Sequence, residues 1–177
     1  DNWHPDFEAL EKMDLSNVKL MWVNYPNMPT GGNASIELFE KLVAFGKKHS
    51  ILICHDNSYS FILNDKPLSI LQVDGAKDVC IELNSMSNSH NMAGWRMGVL
   101  VSNEQFVKWI VKVKSNTDCG QFKPLQMATI KALDTPKQWH DNMNLLYEQR
   151  RLWAYKILSI MGCTYFTNQA GLYVWAK

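Results

Sequence analysis

The 177-residue chain is 46% hydrophobic and 20% charged, with a formal net charge of +1 at pH 7, ordinary usage for a folded domain with one sizeable core. No run of one charge sign favours nucleic acid or a membrane surface, and no stretch reaches the roughly 18 unbroken apolar residues of a membrane span. The histidines show no H-x-x-x-H pairing and Cys54, Cys80, Cys119 and Cys163 no C-x-x-C, so no metal site is expected, and the thiols read as reduced, in a cytoplasmic protein. The opening Asp1-Asn2-Trp3-His4-Pro5 has no initiator methionine or signal-peptide pattern, and the closing residues 172–177 look like a strand cut short. Both ends read as truncations.

Residues 18–23 are apolar enough for a buried strand, and residues 24–33, rich in Asn, Pro and Gly, form a loop. Ser35 reads as the N-cap of a helix with Glu37 in its first turn, and Leu38, Leu42, Phe45 and His49 recur on one face. Residues 51–54, 79–81 and 97–101 are further strands. Residues 103–114 read as an amphipathic helix with Phe106, Trp109, Ile110 and Val113 inward. Beyond Pro124 the pattern is helical to Met161, broken near Asp134-Thr135-Pro136, with Pro136 opening the second piece and Gly162 just past its end. Gly171 precedes a last strand. This alternation predicts an α/β domain with a mainly parallel sheet flanked by helices. In such sheets functional groups gather beyond the carboxyl ends of the strands, here residues 24–32, 55–59, 84–96 and the loop after Val101.

Three of these segments carry chemistry. Asp56-Asn57-Ser58-Tyr59 sets an acid and a phenol three residues apart just past a strand; a plain turn explains the same residues, since Asp is common there. Residues 85–96 offer hydroxyls at Ser85, Ser87 and Ser89 and a charged fork at Arg96, a set that suits phosphate. A polar loop whose arginine is solvated or pairs with a carboxylate fits them too. Tyr25-Pro26-Asn27-Met28-Pro29-Thr30-Gly31-Gly32 is stiff and sharply bent, and a loop role alone accounts for it.

In this order and spacing, the three segments closely resemble the class I/II aminotransferases of the fold-type I pyridoxal-phosphate (PLP) enzymes, of the aspartate and LL-diaminopimelate aminotransferase kind. That family shows Y-P-N-N-P-T-G, then D-x-x-Y after a strand, then S-x-S-K-x-x-N-M-x-G-W-R-x-G. The resemblance is strong over residues 22–98 and weaker to Lys177. It implies that residues 1–135 belong to the large PLP-binding domain, and that 136–177 form an interdomain helix and the start of a smaller α+β domain. It implies amino-acid and 2-oxo-acid substrates and a homodimer. Residue by residue, Asp56 matches the carboxylate that pairs with the cofactor's pyridine nitrogen, Tyr59 the phenol on its ring oxygen, and Ser85 and Arg96 the phosphate ligands. Ser87 is a lesser contributor, while Trp95 and Met97 are expected to pack beneath the loop.

The sequence departs from the pattern twice. Met28 stands where the family has an asparagine that reaches the ring oxygen and the substrate carboxylate; a thioether accepts weakly and cannot donate, and Asn27 is not expected to replace it. Asn88 occupies the slot of the Schiff-base lysine, three residues after Ser85 and eight before Arg96, with no lysine between Lys77 and Lys108. An amide is neither a nucleophilic amine nor a base. The chain as written is therefore expected to be an inactive form of an aminotransferase. The alternatives are a non-catalytic PLP-binding relative and another fold-type I enzyme, such as a carbon–sulfur lyase.

Overall fold

The computed structural model describes residues 3–177. Four strands form one sheet in the order β1 (Leu20–Asn24), β2 (Leu52–Asp56), β3 (Cys80–Ser85) and β4 (Gly98–Val101). The first three are parallel and β4 runs antiparallel to β3. The helices are α1 (Phe7–Glu11), α2 (Ile36–His49), α3 (Met86–Ser89), α4 (Glu104–Thr117), α5 (Lys123–Leu133) and α6 (Lys137–Ile160). A mainly parallel sheet with flanking helices is the architecture that the alternation of apolar runs predicts.

The core lies between α2 and the sheet. Ser35 caps α2, its hydroxyl accepting from Leu38 N at 3.2 Å, and three basic residues in the last turn, Lys47, Lys48 and His49, complement the helix dipole. Leu38, Phe39, Leu42, Val43 and Phe45 are buried against Val23, Ile53, Val79 and Cys80. Gly46 is where the helix comes closest: a Cβ there would stand 2.8 Å from the Ile51 carbonyl and 2.9 Å from both Ile53 Cγ1 and Val79 Cγ2. Backbone cannot yield as a side-chain tip does, so Gly46→Ala is expected to destabilise the protein by about 1–3 kcal/mol. Urea unfolding checks this, and an unchanged midpoint would refute it.

Strands β1, β2 and β3 run further at their carboxyl ends than their apolar runs suggest, because polar residues there are satisfied by specific partners. Asn24 Nδ2 donates to Asp56 O at 2.9 Å, and Asn84 Nδ2 to Glu82 Oε1 at 3.1 Å. The expected inward face of α4 is a correction. No residue of α4 is buried; Trp109 is 56% and Val113 68% exposed, and with Phe106 and Ile110 they overlook Leu52 and Ile81 across an open groove. The helix is amphipathic, but among the described residues no element closes over its apolar face. The last strand is a second correction. Residues 172–177 make one antiparallel bridge, Tyr165 with Ala176, because among the described residues no neighbouring strand offers them a ladder. Among the described residues no helix is long and apolar enough to cross a membrane.

Candidate active site

The register brings the predicted residues to one edge of the sheet. Asn24 pairs with Asp56 across β1 and β2, and Asp56 with Leu83 across β2 and β3. Strands β1 and β2 thus finish level, at Asn24 and Asp56, and β3 runs two residues past Leu83 to end at Ser85 on the same edge. Because β4 is antiparallel, its first residue, Gly98, pairs with Ser85, and Met86 N donates to Met97 O at 3.1 Å. Arg96 therefore enters at the edge where Asp56 and Ser85 leave.

Past β2 the chain turns tightly. Asp56 Oδ1 accepts from Ser58 N at 3.1 Å and from the Ser58 hydroxyl, which aims the following residue, Tyr59, across the edge. The phenol donates to Met28 Sδ at 3.2 Å. Burial pushes Tyr59 up to about 12, with Tyr173 and the Asp56 carboxylate acting the same way and the Asn88 amide against them. Met28, Asn88 and Tyr173 thus surround one phenol, which is a hydrogen-bond donor throughout the neutral range.

Ser85 ends β3 and caps α3, its Oγ accepting from Ser87 N at 3.1 Å. Ser87 and Asn88 lie in α3, both half-buried. Arg96 is exposed, in the left-handed region at φ 54°, and its Nη1 donates to Ala93 O at 3.1 Å. That bond uses one of its five N–H donors. Met97 is buried with Met86 and Met92 against α5, as expected of a packing residue. Trp95 is not: it is 46% exposed, because the single turn at Ala93–Trp95 carries it away from that cluster.

In the loop that follows β1, Asn24 Oδ1 accepts from Met28 N at 2.7 Å, and the Asn27 amide is consumed internally, donating to Asn24 O at 3.3 Å and accepting from Thr30 Oγ1 at 2.7 Å. Asn27 does not stand in for the residue that Met28 replaces. Gly31, at φ 71°, lies under residues 169–170: its carbonyl accepts from Ala170 N at 2.9 Å, and a Cβ would come within 2.6 Å of Gln169 Cβ. Gly171 N in turn donates to Ile62 O at 2.8 Å, which seats Tyr173 edge-on to Tyr59, ring centroids 5.9 Å apart.

Two features of this region escape the sequence reading. Tyr173 lies 114 residues from Tyr59 by number, and only the fold joins them. Beneath the edge, His55 and Glu82 form a buried network whose signal was an acid inside the apolar run Cys80-Ile81-Glu82-Leu83. The donor set at the edge is a carboxylate, a phenol, a hydroxyl and a guanidinium with unspent donors. It fits a phosphorylated pyridine at every anchor except a covalent one, since the slot of the amine holds an amide.

These features lie on a mainly parallel α/β sheet, and the chain belongs to the aminotransferase class I and II family, whose model matches residues 1–177. It is 45% identical over 174 residues to the LL-diaminopimelate aminotransferase of Gloeobacter violaceus, covering 97% of this chain and 44% of that protein. Among solved structures it is similar to apo-BacF from Bacillus subtilis, with a TM-score of 0.93 and 34% identity, over 99% of this chain and 45% of that one. A probable N-succinyldiaminopimelate aminotransferase from Thermus thermophilus gives a TM-score of 0.90 at 30% identity, over 98% and 47%. The chain thus spans somewhat under half the length of the proteins it matches.

Proposed function

We propose that the protein containing this chain is built as a PLP-dependent aminotransferase, moving an amino group between an amino acid and a 2-oxo acid, and that this chain supplies the cofactor-anchoring edge. The observation that carries the reading is the convergence of Asp56, Tyr59, Ser85, Asn88 and Arg96 where three parallel strands end at one edge of the sheet. When bound, the cofactor supplies an electron-withdrawing ring. The Asp56 carboxylate would keep the ring nitrogen protonated, as an adjacent anion does. Tyr59 would donate to the ring oxygen, and Ser85, Ser87 and Arg96 would hold the phosphate. Asn88 can hold a hydrogen bond but cannot move a proton or bind covalently, so this form docks PLP without turnover. The names of the relatives make a diaminopimelate-type amino acid the first substrate to offer.

PLP titration of the full-length protein tests this. Arg96→Ala is expected to weaken binding by about 1.5–3 kcal/mol, the range for a hydrogen bond to a charged group, and Asp56→Ala is expected to weaken it as well. Dissociation constants unchanged in both variants would sink the reading. A non-catalytic PLP-binding relative is the second reading, favoured by Asn88 itself. It would be upheld by asparagine at 88 in the gene and in the intact mass. Assays with keto-acid acceptors separate the transferase from a carbon–sulfur lyase.

The domain division falls, in this proposal, at residue 135: residues 1–135 in the large domain, residues 136–177 in the interdomain helix and the start of the small one. Four free cysteines, Cys54 and Cys80 buried among them, are in keeping with a reducing, cytoplasmic setting. A homodimer completes the proposal. Trp109, Phe122 and Met127 are 56%, 70% and 60% exposed, more large apolar surface than a free-standing chain commonly shows. The full-length protein is expected to sediment as a dimer at micromolar concentration, and a monomer there would count against it.

A further inference from the structure

Directly beneath the anchoring edge, on the other face of the same strands, lies a buried polar cluster that the cofactor reading leaves unused. His55 is fully buried, at 0% exposure, and Glu82 is 5% exposed. They are paired neighbours in the parallel register of β2 and β3. His55 Nδ1 lies 3.3 Å from Glu82 Oε2, and Nε2 lies 3.1 Å from the Tyr25 carbonyl. The Glu82 carboxylate accepts from four further donors: Ser69 Oγ at 2.7 Å, Ile70 N at 3.0 Å, and the side-chain amides of Asn57 and Asn84 at 3.1 Å each. One proton between Nδ1 and Oε2 serves that contact from either side, as a ring N–H on a carboxylate or as a carboxyl O–H on a ring nitrogen. The Tyr25 carbonyl can only accept, so Nε2 carries hydrogen.

The partners of this pair are the residues that flank the site. Strand alternation puts His55 and Asn57 on one face and Asp56, between them, on the other. Glu82 and Asn84 share the clamped face, and Ser85 follows on the opposite one. Tyr25 opens the loop that carries Met28. Asn57 cannot turn its amide round, because Nδ2 donates to both Leu68 O, at 3.0 Å, and Glu82. Its Oδ1 is left without a partner as the consequence. The ring of Phe39 lies 4.9 Å from that of His55 and closes the cluster from α2.

We propose that His55 and Glu82 are a buried hydrogen-bonded pair acting as positioning residues. They tie the ends of β1, β2 and β3 together so that Asp56, Tyr59 and Ser85 are held in register for one ligand. The proposal rests on the PLP reading for what is positioned, and on the bonding for the pair that positions it. A buried pair of this kind is costly to break from one side, because the group left behind loses its partner, and so it holds its neighbours in one arrangement.

The test uses the full-length protein labelled with 15N-histidine, the His55 ring signals being assigned by their loss in His55→Gln. Nε2 of His55 is expected to carry hydrogen, and a pyridine-type Nε2 would overturn the bonded arrangement. PLP titration of Glu82→Gln, with folding checked by far-ultraviolet circular dichroism, is expected to show binding weakened by roughly tenfold or more, the equivalent of about 1.4 kcal/mol. At saturating cofactor the induced circular dichroism of the bound PLP is expected to fall, since that signal reports the orientation of the ring rather than the stability of the fold. Wild-type affinity and an unchanged induced signal in a folded Glu82→Gln protein would overturn the positioning role. If the unsubstituted protein binds no PLP, the functional reading and the positioning role fall together, while hydrogen on Nε2 would still establish the bonded arrangement.

Discussion

Asn88→Lys, made in the full-length protein, is expected to gain the mass of one reduced cofactor at position 88 after PLP and borohydride treatment, where the asparagine form gains none. Asn88 sits in α3 and half-buried, three residues past the strand end at Ser85, and its amide acts on the Tyr59 phenol. A lysine there has a flexible four-carbon stem ending in an amine, in the place where the phenol and the phosphate ligands would present the cofactor's aldehyde. Confinement at such a site replaces an encounter in solution with an intramolecular one, and well-oriented pairs of this kind reach effective concentrations of about 10⁵ M or more. The rest of the anchoring set needs no change: Asp56, Ser85 and Arg96 already share the edge. The adduct is located by peptide mass mapping. Attachment at another lysine, or none, would show that position 88 is not the slot.

The sheet, and the edge where chemistry gathers, are legible in the sequence because both rest on local signals. Ser35 announces α2, the apolar runs announce the strands, and Asp56, Ser85 and Arg96 each stand beside such a run, so that knowing where strands end is nearly enough to bring them together. What stays hidden is set by contacts distant in sequence. Tyr173 reaches Tyr59 only because backbone bonds from Ala170 to Gly31 and from Gly171 to Ile62 fold the last segment back over the loop. Trp109 and Val113 have the periodicity of an inward face, but periodicity states which residues want cover and not whether a neighbour provides it. Glu82 breaks an apolar run. Sequence alone cannot tell a buried acid with five partners from a polar residue at a solvated edge.

Glu82 is also where one substitution is expected to cost the most stability. Glu82→Ala removes the partner of a fully buried His55 and five hydrogen-bond acceptor contacts at once. Breaking a buried pair from one side leaves the other partner uncompensated, and about 3–5 kcal/mol is the usual loss. The acid dependence should change with it. Burial opposes the charged form of Glu82, but the bonds from His55, Ser69 and Asn57 outweigh burial and hold its carboxyl below the ordinary value of 4.5. A group whose folded value is depressed contributes stability that is fully present above its unfolded value and is lost as the pH falls through the folded one. Wild-type stability is therefore expected to fall more steeply than that of Glu82→Ala as the pH drops below about 4.5, so the gap between them, widest near neutral pH, narrows in acid. Urea unfolding of both full-length proteins at a series of pH values measures the gap directly. A loss under about 1 kcal/mol at neutral pH, or a gap that does not narrow in acid, would mean that the carboxylate is not the anchor its bonding describes.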